Sequence, residues 1–497
     1  GKMMMKVFRT PLWLGVIGAT VLAIGSYGGG AVRYRGGVLD VLGWSFLAFG
    51  HGAGMFNALF GVGIVLIVVT WAQLGRSLFS TPAAVTADSI QRCVWAWIIP
   101  LVFAAPMLSR DVYSYLMQGA MQRDGFDPYS EGVSVNPGPM MLEVSHDWRN
   151  TTTPYGPLHL GIGNVITTIV GDNVTLGVVL YKLVSIAGFA LIMWSVPAIA
   201  RLLGGNPALA MWLGVANPVM YLHLIGGMHN ESLMVGLVCA GLLLALRRRY
   251  VVGVALIGVA VALKATAIIA MPFVVWMLMR FIAAKWDGRR YPLAFVLAGL
   301  WVAVETMVAI TVVTILSGSS WGWVSQLSGN SKVINPLAFP SLLASVATPF
   351  AIYINDDITF NQVLGWCRVI CQVLMLAGLV VVWWRYRRTD QDAIKGTTAA
   401  YGVAVVFNTV TLPWYYTSLL SLIGTFQPSR RLVVWTTGLS ILVALMFTGS
   451  GNHKFYDIPW VAAAVLASYL LTRYIFGRHN IPTQGSAAKT PEPAPAA

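Results

Sequence analysis

The sequence predicts an all-α polytopic membrane protein with about 12–14 crossings, and three observations carry that reading. Of its 497 residues 57% are hydrophobic and only 10% charged, far from the roughly quarter-charged make-up of a soluble domain. Apolar runs long enough to cross a bilayer recur along the whole chain. Between them, basic residues gather in alternate loops, as the positive-inside rule requires of cytoplasmic loops.

The runs lie near 12–29, 54–74, 92–107, 176–200, 208–224, 231–246, 250–264, 267–282, 293–316, 361–385, 397–412, 414–427, 431–449 and 457–475. No small-residue cleavage pattern follows the first, so it reads as a retained helix rather than a signal peptide. The basic groups are Lys2/Lys6/Arg9, Arg247-Arg248-Arg249, Arg280/Lys285/Arg289/Arg290, Arg385/Arg387/Arg388/Lys395 and Arg430-Arg431. Their alternation puts both termini in the cytoplasm and turns the acid-bearing loops outward, across the plasma membrane. The net charge of +14 is then a topology signal and an attraction to anionic lipid, not a nucleic-acid footprint. Counting 157–171 as a crossing would turn Arg247-Arg248-Arg249 outward, so that segment is expected at the outer interface. Cys93, Cys239, Cys367 and Cys371 fall inside apolar runs without CxxC spacing and read as core residues. The Pro/Ala-rich stretch 479–497 reads as a disordered cytoplasmic tail. No internal repeat is evident.

The long outer loop, 108–172, holds "SRDVYSYLMQGAMQRDGFDPYSEG". Asp111, Ser114, Gln118 and Gln122 recur at helical spacing, with Val112, Leu116, Gly119 and Ala120 on another stripe, which predicts an interfacial helix whose polar face meets water. Ser109 is the expected N-cap, which puts Asp111 in the first turn, where the helix dipole favours an ionised carboxylate ready to accept a proton. The plainer account is that Asp111 balances Arg110. On the same side, "GGMHNES" is expected to bring His229, Asn230 and Glu231 to the outer surface after a flexible Gly-Gly. Lys264, between two short apolar runs, must snorkel, pair or meet an anion; without an acid nearby in sequence, a phosphate is the expected partner. Trp414, Tyr415 and Tyr416 suit interfacial anchoring or stacking on sugar or lipid. Asn355-Asp356-Asp357, the nearest thing to an acidic cluster, reads as a solvated loop, so no metal site is expected.

"SRDVYSYLMQGAMQRDGFDPY", "TTTPYGPLHL", "GGMHNES" and "LKATAIIAMPF" together resemble the actinobacterial polyprenol-phosphate-mannose-dependent α-(1→6)-mannopyranosyltransferases, the MptA/MptB type that builds the lipomannan core. The resemblance runs over roughly residues 10 to 478, and the MptB side is favoured. It implies a GT-C glycosyltransferase fold over 1–478, with 108–172 as the catalytic outer loop. It also implies an inverting enzyme that moves mannose from polyprenyl-phosphate-mannose to a phosphatidylinositol mannoside or lipomannan-type acceptor, toward the lipoarabinomannan core. Asp111 occupies the place of the family's catalytic base. Lys264, His229 and Arg110 could hold the donor phosphate, Glu231 or Asp127 could orient acceptor or base, and Asn230, Tyr113, Tyr115, Trp414 and Tyr415 fall among the expected substrate contacts. No DxD pair surrounds Asp111, so the resemblance implies neither metal nor cofactor. Two other readings share the composition: another GT-C transfer, arabinosyl or of a different mannose linkage, and a transporter or lipid flippase. The missing repeat and the gathering of acids on one face weigh against transport.

Overall fold

A computed structural model describes residues 2–479 apart from 32–38, 40, 41, 49, 139, 140, 142, 143, 145–147, 328–338 and 409–411. The expected tail, 479–497, lies outside the described residues but for His479. The chain is helical, and the only bridge among the described residues that stands outside named strands joins Phe447 and His453. The helices in order are α1 (Lys2–Gly29), α2 (Gly50–Ser80), α3 (Ala87–Val102), α4 (Asp111–Arg123), α5 (Pro157–Val170), α6 (Val174–Leu202), α7 (Pro207–Gly214) and α8 (Pro218–Tyr221). There follow α9 (Glu231–Leu246), α10 (Tyr250–Leu263), α11 (Met271–Ala284), α12 (Tyr291–Ser317), α13 (Phe339–Ile354), α14 (Phe360–Arg385), α15 (Asp390–Phe407), α16 (Thr417–Ile423), α17 (Arg430–Leu445) and α18 (Ile458–Phe476).

Each apolar run of the sequence contains helix, but the bounds move: run 92–107 stops being helical after Val102, run 208–224 is broken in two, and the helices over runs 12–29 and 397–412 start at Lys2 and Asp390. Among the described residues seven helices are long and apolar enough to cross a membrane, or eight when the pair Pro207–Gly214 and Pro218–Gly226, bent by 48°, is taken as one. Four more apolar helices, α5, α9, α10 and α13, are 10–17 residues long. The expected runs that fall outside those eight are the ones over α3, α9, α10, α15, α16 and α17. Helix α13 has no counterpart among the expected runs, because Pro340, Ser341, Ser345, Thr348 and Pro349 dilute its apolar pattern.

The basic loops meet at one end of the bundle. Arg76 donates to the Tyr474 carbonyl at 2.6 Å, Arg430 to that of Gly477 at 3.1 Å, and Arg280 pairs with Asp390 at 2.9 Å. Helices α9, α10 and α11 each run from that end to the other, where Glu231, Lys264 and their neighbours stand.

What carries Asp111 to this far end is a non-helical strap between α3 and α4, buried from Ala104 to Ser109. Its backbone is held by a different element at almost every step. Lys182 of α6, itself buried, donates to the carbonyls of Leu101 and Ala104 at 3.0 and 2.8 Å. The Ala105 amide donates to the Ser26 hydroxyl at 2.9 Å, Met107 to the Gly226 carbonyl at 3.2 Å, and Leu108 to that of Gly449 at 2.7 Å. A chain fixed this way leaves its last residue little freedom.

Helix α4 differs from the expected interfacial helix in two respects. It begins at Asp111, so Ser109 is not its N-cap, although the Ser109 hydroxyl still accepts from the Asp111 amide at 3.1 Å. Its polar stripe does not look to water: Ser114 and Gln118 are buried, and Val112 to Met121 form a continuous buried stretch. The cause is α5, which crosses α4 with backbone against backbone; a Cβ placed on Gly119 would lie 2.3 Å from the Gly163 carbonyl carbon. Two glycines thus permit a contact that closes the polar stripe against protein, where Gln118 finds His159 at 2.8 Å and Gln122 reaches the Gly318 carbonyl at 3.2 Å.

Candidate active site

Asp111 opens α4 at the end of the strap, its side chain 17% exposed. Opposite it comes the segment between α8 and α9, which begins with a π-turn over Leu222–Gly226. That segment is neither loose nor at the surface. A Cβ on Gly226 would meet Met107 Sδ at 2.8 Å and one on Gly227 the His223 carbonyl at 2.6 Å, while His229 and Glu231 are each 1% exposed. The expectation of a flexible, exposed His-Asn-Glu turn is corrected accordingly: packing of the strap against the π-turn pulls it inside.

His229 lies flat on Trp414, ring centroids 3.7 Å apart and planes 15° from parallel, with its Nδ1 3.5 Å from Asp111 Oδ2. Lys264, in extended backbone between α10 and α11, pairs with Glu231. The acid that no neighbouring residue supplied thus comes from 33 positions upstream, and Lys264 does not snorkel. Its ammonium also sits 4.1 Å from the centre of the Tyr415 ring and 5.9 Å from that of Tyr155, positions that favour a cation.

Two cavities flank these groups. One, of about 120 Å³, is lined by Glu231, Lys264, Thr266, Tyr401 and Ser418 together with the apolar Met234, Ile269, Leu327, Ala404 and Val405. The other, of about 30 Å³, is lined by Asp111, Ser114, Gln118, Trp148, Thr151 and Thr152. Pro154, Tyr155 and Tyr415 belong to both. A carboxylate on one side and an ammonium on the other therefore face a shared aromatic partition.

Burial first, and the Glu231 carboxylate second, push the Asp111 carboxyl up to about 7, against the Lys264 ammonium and the Ser109 hydroxyl, which pull it down. A carboxyl poised there can take and release a proton near neutral pH. Among the described residues no three His, Cys, Asp or Glu side chains gather as a metal site would need.

Comparison with known proteins bears on what such a site serves. A family model described as "Alpha-(1->6)-mannopyranosyltransferase, N-terminal domain" matches residues 12–280, and one described as "MptB C-terminal domain" matches 340–476. The chain is 57% identical to alpha-(1->6)-mannopyranosyltransferase A of Corynebacterium glutamicum, over 96% of this chain and 99% of that protein. This chain belongs to the α-(1→6)-mannopyranosyltransferase family. It is 36% identical to the A protein of Mycobacterium tuberculosis, over 97% of this chain and 92% of that one, and 28% to the B protein of Corynebacterium glutamicum, over 81% and 70%. The higher identities carry the A name while the C-terminal family model carries the B name, so the comparisons leave the two types undivided. This mannopyranosyltransferase is thus a multi-pass membrane glycosyltransferase, and the transport reading is set aside.

The expected residues of the mannopyranosyltransferase fall into three groups. Asp111, Tyr115, His229, Asn230, Glu231, Lys264, Trp414 and Tyr415 converge around the cavities. Arg110 and Tyr113 flank them: Arg110 is the residue before α4, and Tyr113, 2% exposed, packs in an apolar cluster with Met228. Asp127 does not join. It is exposed and closes its own turn, accepting from the Tyr129 amide at 3.0 Å and the Ser130 hydroxyl at 2.9 Å, so local bonds use the carboxylate that an acceptor would need. The site residues missed were Tyr155 and His159, although "TTTPYGPLHL" contains both; the Pro-Tyr-Gly-Pro turn before a helix was the available signal. Gln118 stood in the polar stripe with Asp111 but was expected to meet water, and Tyr401 carried no signal, being one polar residue in a mixed helix.

Proposed function

We propose that this enzyme transfers mannose from polyprenyl-phosphate-mannose to a phosphatidylinositol mannoside or lipomannan-type acceptor at the outer face of the plasma membrane, forming α-(1→6) links with inversion. The observation that carries the reading is the pairing of a base with a cation across one partition: Asp111 on one side of Tyr155 and Tyr415, Lys264 on the other. In the step, the acceptor's primary hydroxyl oxygen bonds to the anomeric carbon, the bond from that carbon to the phosphate oxygen breaks, and polyprenyl phosphate leaves. Asp111 takes the hydroxyl proton as attack proceeds. Lys264 meets the charge that grows on the leaving phosphate. Apolar walls at Met234, Ile269, Leu327, Ala404 and Val405 suit the prenyl chain beside that phosphate. Glu231 keeps the ammonium neutralised until the phosphate arrives. Tyr415 offers a face to sugar and Tyr115 a hydroxyl, while Trp414 backs His229 and Asn230 turns to the smaller cavity behind it. No metal enters the reading, since the residues present set a lysine where a metal-dependent site sets carboxylates.

The test feeds labelled mannosyl-phosphoryl-polyprenol and a phosphatidylinositol mannoside to the purified enzyme, with and without EDTA. Wild type is expected to give labelled α-(1→6) product in both, and Asp111→Asn to lose on the order of a hundredfold or more in turnover. Near wild-type transfer by Asp111→Asn would overturn the base assignment. Loss in EDTA restored by Mg²⁺ or Mn²⁺ would overturn the metal-free reading.

A further inference from the structure

The base does not stand alone, and what stands behind it deepens the proposed function and rests on that reading. His229 is clamped on Trp414 with Nδ1 facing Asp111. On its other side a cavity of about 20 Å³ is lined by His229, Asn230 and Tyr181 among others, room for about one water. Both His229 nitrogens, Asn230 Oδ1 and Tyr181 Oη are buried polar atoms without a formed hydrogen bond in the protein, Nδ1 approaching Asp111 Oδ2 only to 3.5 Å.

Donor and acceptor roles around this cavity follow in sequence. Gln118 Oε1 can only accept, so His159 Nε2, 2.8 Å away, carries a hydrogen. His159 Nδ1 is then an acceptor and takes a hydrogen from Asn230 Nδ2 at 3.4 Å. Asn230 is thereby turned with its carbonyl oxygen left over. A water held among these three residues would accept the Tyr181 hydroxyl hydrogen, which has no other acceptor there, and give its own two hydrogens to Asn230 Oδ1 and His229 Nε2. With Nε2 accepting, the His229 proton resides on Nδ1.

We propose that His229 is a positioning residue for the base: a neutral imidazole that donates from Nδ1 to the Asp111 carboxylate, its tautomer set by water held between Asn230 and Tyr181. The 3.5 Å separation is of the kind that tightens when substrate closes a site. Burial, then His223 and Lys264, hold His229 well below the usual imidazole range, which keeps it neutral. The other groups around Asp111 are Glu231, Lys264, Ser109, Tyr115, Tyr155 and Tyr415. An N–H donated to the ionised carboxylate opposes the upward push of burial and Glu231.

The experiment is the pH profile of kcat/KM for the full-length enzyme with polyprenyl-phosphate-mannose and a phosphatidylinositol mannoside acceptor. His229→Gln removes the Nδ1 donor, so its acid limb is expected to move up by about one pH unit, with kcat reduced and donor KM unchanged. His229→Asn, whose amide nitrogen takes the place of Nδ1, is expected to keep the limb near wild type. Tyr181→Phe, which removes only a hydroxyl at the cavity, is expected to shift the limb in the same direction by less, and it carries the test if the His229 variants do not fold. A limb unmoved in His229→Gln, with donor KM raised, overturns the proposal and returns His229 to the donor phosphate. A limb unmoved in Tyr181→Phe overturns the tautomer lock. Asp111→Asn run alongside separates the two levels: if it stays active the base reading itself fails, whereas an inactive Asp111→Asn with unmoved limbs in the other variants removes only His229's role.

Discussion

Asp111 must be ionised to take a proton, and burial with Glu231 holds its carboxyl up to about 7. The sign of the pH dependence follows. Below that value the carboxyl is protonated and cannot accept, so kcat/KM is expected to fall tenfold per pH unit on the acid side and to level off above about 7. A profile flat down to pH 5 would remove Asp111 from the proton transfer. Lys264 gives a second expectation at this scale. Its ammonium meets a charge that only the donor carries, so Lys264→Ala is expected to raise the donor KM by tenfold or more, on the order of the 1.5–3 kcal/mol of a charge-assisted hydrogen bond, and to leave the acceptor KM nearly unchanged. The opposite split, measured in one assay, would transfer the phosphate role to Arg110.

At the scale of elements, the strap and the crossing of α4 on α5 decide where that chemistry sits. Bonds from Ser26, Lys182, Gly226 and Gly449 hold the strap, and the Gly119–Gly163 contact seats the helix that follows. Gly119→Val would drive a branched side chain into the backbone of α5. The expected cost is about 1–3 kcal/mol or more, seen as a lower Tm in detergent together with lost turnover. Gly299→Val in α12, where a Cβ would meet nothing within 4 Å, is expected to leave both unchanged. Equal effects of the two would mean that the crossing does not hold the site.

For the whole molecule, the loops rich in arginine and lysine share one end, and the candidate site occupies the other. On the proposed reading the site faces outward, the side opposite the basic loops under the positive-inside rule. All four cysteines are buried and free, which allows a direct measurement with low background. In intact cells a membrane-impermeant maleimide is expected to label Ser130→Cys, in the exposed turn after α4, and to label Arg289→Cys only after permeabilisation. The reverse pattern would invert the topology and the proposed face of catalysis with it.

Hydropathy, charge and helical periodicity were enough to determine the all-α class, the runs that became helices and the alternation of basic ends, because each depends on residues close together in the chain. Family resemblance singled out Asp111, and the residue types at His229, Glu231 and Lys264 marked them as worth attention. Only tertiary structure decided their company. Lys264 finds Glu231, His229 lies between Asp111 and Trp414, Tyr155 joins the two cavities, and Asp127 turns back on its own loop. The polar stripe of α4 misled for the same reason. Periodicity states that a helix has a polar face, but whether water or another helix meets that face depends on a partner distant in the chain, here α5 brought close by Gly119 and Gly163.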